Sequence, residues 1–159
     1  MGYLRLKESQ KQLIEKAGVF FEQGGISPAS ARILALLLIS DETSLTFDEI
    51  YQNLGISKSS ASTAINFLIK TKKIEYITKP GDRKRYFRST IATWLNDFEQ
   101  RFAYMEQIGG LFKEIHKQRT KETKEFNKML EDFMLFMEFM RSEFPLLIEK
   151  WKKKQKTNK

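Results

Sequence analysis

The sequence predicts a mainly α-helical fold built around a winged helix-turn-helix, with a two-stranded β-wing and long N- and C-terminal dimerisation helices. Three observations predict it. Helical apolar spacing recurs along most of the 159 residues, a glycine turn joins two short helices over 47–68, and a basic hairpin follows over 73–88. This order divides the chain into N-terminal helices (1–44), a winged-helix segment (45–89) and a C-terminal dimerisation region (90–159).

The first two helices have clear end signals. Apolar residues at helical spacing predict a first helix over 8–23. The pair Gly24-Gly25 ends it, because glycine adopts the left-handed cap conformation without a Cβ clash. The pair Ser27-Pro28 then supplies a capping hydroxyl and a proline whose missing N–H costs nothing at the first position. The run 33–39 is apolar on nearly every side, so we expect the second helix at the centre of the core.

The next two helices form the helix-turn-helix. Thr46 and Glu49 have the spacing of a capping box, Gly55 makes the turn, and Ser57 caps the fourth helix. Spacing of i, i+3, i+4 and i+7 predicts that the buried face of this fourth helix consists of Ala61, Ala64, Ile65 and Leu68. The opposite, polar face consists of Lys58, Ser59, Ser62, Thr63 and Asn66.

A hairpin and two long helices complete the chain. Strands over about 73–78 and 85–88 flank a Pro-Gly-Asp turn. Helical apolar spacing then continues to about His116. Over 126–151 the apolar residues are separated alternately by four and three positions, which is typical of helices packed side by side as in a coiled coil. Pro145 lies within this repeat and predicts a kink or a restart of the helix, placed near Ser142.

The net charge of +8 is concentrated in the predicted winged-helix segment. Residues 57–90 contain nine Lys or Arg and two acidic residues, whereas residues 1–56 have a balance of −2. A basic surface on one supersecondary unit is typical of proteins that neutralise DNA phosphates. A solvated charge run is the alternative explanation, and the concentration of charge favours DNA contact over it.

The candidate DNA contacts follow from this arrangement. A helix fits the major groove, where amides and hydroxyls distinguish base edges, and a cationic hairpin tip fits the narrow minor groove. For any one polar side chain of the fourth helix, an exposed polar face without base contact explains the pattern equally well. The predicted DNA-binding residues are Ser57, Lys58, Ser59, Ser62, Thr63, Asn66, Lys79, Arg83, Lys84 and Arg85.

Asp82 is the acidic residue next to these cations. An unpaired carboxylate beside Arg83 would repel phosphate. We therefore expect Asp82 either to brace a neighbouring arginine or to cap the turn.

Two stretches resemble the GbsR-type branch of the MarR family of bacterial transcriptional regulators: LGISKSSASTAINFL over 54–68 and YITKPGDRKRY over 76–86. The resemblance implies a homodimer with interlocked terminal helices, recognition helices in successive major grooves of double-stranded DNA, and wings in the adjacent minor grooves. It also implies sequence-specific regulation of transcription, in the form of repression that a small-molecule effector relieves or modifies.

An effector pocket would draw on the aromatic residues that open the C-terminal region. Trp94, Phe98 and Phe102 have rings that can hold a quaternary ammonium group through cation–π contacts. Core or dimer packing is the alternative explanation for such an aromatic stripe at helical spacing.

Other function classes find little support in the sequence. No apolar run reaches the roughly 20 residues that span a bilayer, and the N-terminus has no signal-peptide pattern, so we expect a cytoplasmic protein without a membrane partner. Cysteine is absent, and the single histidine, His116, has no companion ligand, so we expect a solvated histidine and neither a metal, a cofactor nor an enzyme. Two binding classes remain as alternatives: a winged-helix protein–protein adaptor and an RNA-binding protein, which would call for exposed aromatic residues.

Overall fold

The computed structural model describes residues 5–157, which divide into two compact units. The first unit extends to Trp94 and the second begins at Leu95. Residues 1–4, which open the N-terminal segment expected to lack a signal peptide, and residues 158–159 lie outside the described residues.

Ten elements are present within the described residues. In the first unit they are α1 (Glu8–Gln23), α2 (Pro28–Ile39), β1 (Leu45–Thr46), α3 (Phe47–Leu54), α4 (Lys58–Lys70), β2 (Ile74–Thr78), β3 (Arg85–Ser89) and a 3₁₀ turn over Ile91–Thr93. The second unit is formed by α5 (Trp94–Gln118), whose first residue belongs to the first unit, and α6 (Lys124–Thr157).

Helix α2 is the centre of the first unit, as its apolar sequence predicts. Seven of its twelve residues are buried. Ile33 and Leu36 are completely inaccessible to solvent, and they share one hydrophobic cluster with Ile14 of α1, Leu68 of α4 and Ile74 of β2. The first two helices therefore belong to the same packed unit as the helix-turn-helix.

Local hydrogen bonds confirm the predicted helix ends around the helix-turn-helix. The Thr46 N–H donates to Glu49 Oε2 over 2.7 Å, and the Glu49 N–H donates back to Thr46 Oγ1 over 3.3 Å. Gly55 adopts φ +62°, a left-handed conformation that favours glycine, and the chain reverses there. Ser57 Oγ then accepts from the Ser60 N–H over 3.1 Å and begins α4.

The wing belongs to a three-stranded antiparallel sheet, with order β1-β3-β2, and the first of these strands was not predicted. On the central strand, Phe87 lies opposite Leu45 of β1 on one side and Tyr76 of β2 on the other. Strand β1 has only two residues, which is too short to show an alternating pattern in the sequence. It connects the base of the predicted two-stranded wing to the start of α3.

The second unit is a hairpin of two long helices packed through aromatic side chains. The rings of Phe102 and Phe144 are stacked with centroids 3.8 Å apart, and those of Phe112 and Phe133 are 4.7 Å apart. Gly109 is buried, and a Cβ atom at this position would lie 3.3 Å from Met137 Cβ. The glycine thus permits close approach of α6.

Among the described residues, no helix is long and apolar enough to cross a membrane.

Two expectations for the second unit need correction. Helix α6 continues through Pro145, so the restart predicted near Ser142 does not occur, whereas the alternative of a kink stays a prediction. Phe144, the residue before this proline, packs its ring against Phe98 and Phe102 of α5. His116 is half-buried rather than simply solvated, and its Nε2 lies 3.1 Å from Glu131 Oε1. The described part of the chain contains no group of three or more side chains suited to a metal ion.

Candidate nucleic-acid interface

Helix α4 presents its polar residues on one exposed face. The apolar residues predicted to be buried are all buried, and this fixes the rotation of the helix about its axis. The five residues predicted to lie on the opposite face are all exposed: Lys58, Ser59, Ser62, Thr63 and Asn66. The helix therefore has the shape and the side chains to enter a major groove.

The first turn of α4 is ordered by its own hydroxyl groups. Ser57 is exposed, but its Oγ accepts the Ser60 N–H and also lies within hydrogen-bond distance of the Ser59 and Ser60 hydroxyls. Lys58 Nζ lies 5.3 Å from the centre of the Tyr51 ring of α3. Tyr51 was not among the predicted site residues, although an aromatic side chain four positions before the turn glycine, Gly55, was visible in the sequence.

The hairpin brings four predicted cations together. Arg83 and Lys84 lie in the loop between β2 and β3, and Arg85 is the first residue of β3. Lys79 Nζ lies 3.8 Å from the centre of the Tyr86 ring. All four cations are exposed, so the hairpin presents a basic surface.

Two arginine side chains of β3 contact side chains of the neighbouring strand β2. The Arg85 guanidinium lies 5.2 Å from the centre of the Tyr76 ring, in a cation–π contact. Farther from the tip, Arg88 Nε donates to Glu75 Oε1 over 2.8 Å, and the ion pair joins β3 to β2. Tyr76 was also missed as a site residue, because its pairing with Arg85 depends on the strand register.

Asp82 caps the turn rather than bracing an arginine. Its Oδ1 accepts the Lys84 N–H over 2.9 Å, and its Oδ2 accepts the Tyr86 hydroxyl over 2.6 Å. The Tyr86 hydrogen bond, followed by that from the Lys84 N–H, lowers the pKa of the Asp82 carboxyl below its ordinary value. The same hydrogen bond to Asp82 raises the pKa of the Tyr86 phenol.

A cleft of about 630 Å³ lies between α4 and the hairpin. Its apolar lining includes Ile65, Ile69 and Phe87. Asn66 of α4 and Arg85 of β3 also line this cleft. The candidate major-groove residues and the basic hairpin thus border the same open surface of the first unit.

The residues predicted for an effector pocket have different surroundings. In the second unit, the Phe98 and Phe102 rings both pack against Phe144, with centroids 5.4 Å and 3.8 Å away. This is the packing role that the sequence left open as an alternative. Trp94 is the last residue of the first unit and is 45% exposed.

Sequence comparison matches the region that contains this surface. Residues 24–85 match the sequence model of the MarR family. The HTH-type transcriptional regulator MmpR5 of Mycobacterium tuberculosis (strain ATCC 25618 / H37Rv) is 31% identical over 77 residues, which cover 48% of this chain and 47% of MmpR5. The match therefore spans about half the length of this curated relative.

Structural comparison extends over most of the chain. A crystal structure of a protein described as a transcriptional regulator superposes with a TM-score of 0.70 at 20% identity, over 91% of this chain and 99% of that chain. MepR, a transcription regulator of the Staphylococcus aureus multidrug efflux pump MepA, gives a TM-score of 0.42 at 21% identity, over 82% of this chain and 97% of that chain. The family match is thus limited to residues 24–85, and the first of these structures shares the fold of most of the chain.

Proposed function

We propose that this chain is a sequence-specific regulator of transcription that binds double-stranded DNA as a homodimer. One observation carries the proposal: the polar face of α4 and the cationic hairpin border the same cleft in the first unit. A helix for the major groove and a basic hairpin for the minor groove are the two parts that winged-helix DNA recognition requires. The relative is described as a transcriptional regulator, which supports a non-enzymatic function.

The proposed roles of α4 follow from the chemistry of its side chains. The Asn66 amide can form two hydrogen bonds with an adenine edge, and Ser62 and Thr63 offer hydroxyls to bases or phosphates. The N-terminus of α4 is surrounded by Ser57, Lys58 and Ser59, and its unpaired N–H groups favour a phosphate. Among these three residues, Ser57 acts chiefly through the helix cap that it forms.

The hairpin supplies charge rather than base recognition. Arg83 and Lys84 extend from the loop and suit a narrow minor groove or its flanking phosphates. Lys79 and Arg85 lie over aromatic rings along the hairpin, from which they can reach the adjacent backbone.

The proposed homodimer rests on apolar surface in the second unit. Several large apolar side chains of α6 are more than half exposed: Met129, Leu135, Phe136, Phe139, Leu146 and Leu147. Contiguous exposed apolar patches mark interaction surfaces, and a second copy of this helical hairpin would cover them. A symmetric dimer places two recognition helices about one DNA turn apart, roughly 34–36 Å.

Three finer assignments rest on the resemblance of 54–68 and 76–86 to the GbsR-type branch. They are membership of that branch, repression as the regulatory output, and a small-molecule effector. A place in the cytoplasm follows from the proposed access to chromosomal DNA. Trp94, Phe98 and Phe102 remain the proposed effector contacts, although packing against Phe144 already engages the two phenylalanines.

The adaptor alternative makes a different prediction about the surface. A protein-binding winged helix would present a neutral or apolar recognition face in place of phosphate-binding cations. The exposed face of α4 is polar and the hairpin beside it is basic, so the surface favours DNA.

Duplex binding measured across salt concentrations tests the proposal. We expect the wild-type chain to bind random and selected duplexes with a log–log slope of about −0.9 per phosphate contact, and to prefer a selected sequence. Near-absent binding, or a slope near zero, would contradict DNA binding and favour the adaptor.

Replacing Arg83 by alanine tests the hairpin assignment. We expect weaker binding and a shallower salt slope, by about one contact, because a cation is removed from the DNA-facing loop. Lys128→Ala, which removes an exposed cation from α6, is the matched control and should retain wild-type affinity. Equal affinities of the two variants would contradict the assignment, and sedimentation analysis should show that both remain dimeric.

A further inference from the structure

The hairpin tip contains one acidic residue among its cations. Asp82 directly precedes Arg83 and Lys84, which extend from the loop. A carboxylate in this position lowers the attraction of the hairpin for phosphate, so its charge alone opposes DNA binding. Its contacts give it a different role.

Both carboxylate oxygens of Asp82 are engaged in closing the turn. One accepts the Tyr86 hydroxyl over 2.6 Å, and the other accepts the Lys84 N–H over 2.9 Å. The backbone contributes as well, because the Asp82 N–H donates to the Lys79 carbonyl over 3.1 Å. These bonds connect the loop with the first residues of β3.

Tyr86 is the residue on which these contacts converge. Its hydroxyl reaches Asp82, and its ring receives the Lys79 ammonium at 3.8 Å from the ring centre. Lys79 follows the last residue of β2, whereas Tyr86 is the second residue of β3. The side chains of Lys79, Asp82 and Tyr86, here called the wing-tip clasp, therefore span both ends of the loop.

We propose that Asp82 and Tyr86 are positioning residues for DNA binding, and that the wing-tip clasp holds the loop in the conformation that presents Arg83 and Lys84 to the DNA. The inference rests on the proposed DNA-binding function. A loop that is ordered before binding loses less conformational entropy when it meets its partner, so affinity increases without an additional contact.

The proposal and a purely electrostatic account predict opposite changes in DNA affinity when Asp82 is replaced. If Asp82 acts only through its charge, Asp82→Ala removes a repulsive group and tightens DNA binding. If Asp82 holds the clasp, the same substitution loosens the loop and weakens binding although the net charge becomes more positive. Tyr86→Phe separates the two accounts further, because it removes one hydroxyl and changes no charge at neutral pH.

The positioning role of the Tyr86 hydroxyl can also be distinguished from a role limited to folding. The backbone of Tyr86 pairs with Thr46 of β1 and Ile77 of β2, and these pairings do not require the hydroxyl. Tyr86→Phe also retains the ring that Lys79 contacts. The variant should therefore keep the sheet and its thermal unfolding midpoint while it loses the bond to Asp82.

The experiment uses the full chain, one selected duplex and fluorescence anisotropy across salt concentrations. We expect Tyr86→Phe to weaken binding about three- to tenfold with an unchanged salt slope, since the same cations still reach phosphate. Asp82→Ala should weaken it by at least about as much. Tyr104→Phe, which removes an exposed hydroxyl in the second unit, is the matched control and should bind as the wild type does.

Amide hydrogen exchange of Lys84 in the free protein reports the clasp without DNA. We expect faster exchange in both clasp variants, most in Asp82→Ala, which loses the acceptor itself. Tighter binding by Asp82→Ala, or wild-type affinity and wild-type Lys84 exchange in Tyr86→Phe, would overturn the inference and leave DNA binding standing. A wild-type chain that fails to bind duplex would overturn the proposed function itself, and the positioning role with it.

Discussion

The two units differ in how completely they bury their apolar residues. In the first, seven residues of α2 are buried, and the five over 33–37 form one cluster with side chains from α1, α4 and the sheet. In the second, Leu130, Met137 and Phe144 are the buried residues of α6, and large apolar side chains between them are exposed. The first unit therefore has a core cluster of its own, whereas α6 exposes apolar surface that the proposed dimer would cover.

The largest expected effect comes from a cavity in the first unit. Leu36 is completely inaccessible, and Leu36→Ala should lower the free energy of unfolding by about 2–5 kcal/mol, through lost burial and the space left behind. Urea denaturation measures the change. The loss should not depend on protein concentration if this core lies within one chain; a concentration-dependent loss would contradict the comparison.

Placing a charge on the exposed apolar surface of the second unit should weaken association. Phe139 is 59% exposed, and Phe139→Asp should raise the dimer dissociation constant about 100-fold or more, because a carboxylate would have to be buried between two copies. Analytical ultracentrifugation gives this constant. Lys128→Ala on the same helix is the control, and a Phe139→Asp chain that dimerises like the wild type would show that this surface is not the interface.

The smallest expected effect distinguishes the inner and outer faces of α5. Gly110→Ala should stabilise the helix by about 0.5–1 kcal/mol, because no side chain or neighbouring element lies within 4 Å of the added Cβ and alanine favours helix. Gly109→Ala should give a smaller gain or a loss, since its Cβ would lie 3.3 Å from Met137 Cβ. Thermal unfolding at matched concentration compares the two variants, and equal gains would contradict the close helix contact.

The helices of the first unit were predictable because their limits are encoded locally. The Thr46–Glu49 capping box and the Ser27-Pro28 start each lie within a few residues of the helix that they begin. The buried face of α4 was predictable for the same reason, since its spacing alone gives the rotation of the helix. The DNA contacts proposed for its other face stay predictions.

What the sequence did not reveal depends on contacts between distant residues. Strand β1 is defined only by its pairing with β3. In this pairing Leu45 lies opposite Phe87, which is at the other end of the winged-helix segment in the sequence. The packing of Phe144 of α6 against Phe102 of α5 likewise joins residues that are distant in the chain. The sequence predicted that Asp82 either braces an arginine or caps the turn. The choice between the two depends on the folded turn, which brings the Tyr86 hydroxyl to the Asp82 carboxylate.

Thr46 is the last residue of β1 and also the N-cap of α3. Its backbone lies opposite Tyr86, and its side chain takes part in the capping box with Glu49. Because one residue closes the sheet and opens the helix, no flexible joint separates them. The start of the helix-turn-helix and the edge of the sheet are therefore fixed to each other through a shared residue, which limits how far α3 can turn relative to the base of the wing.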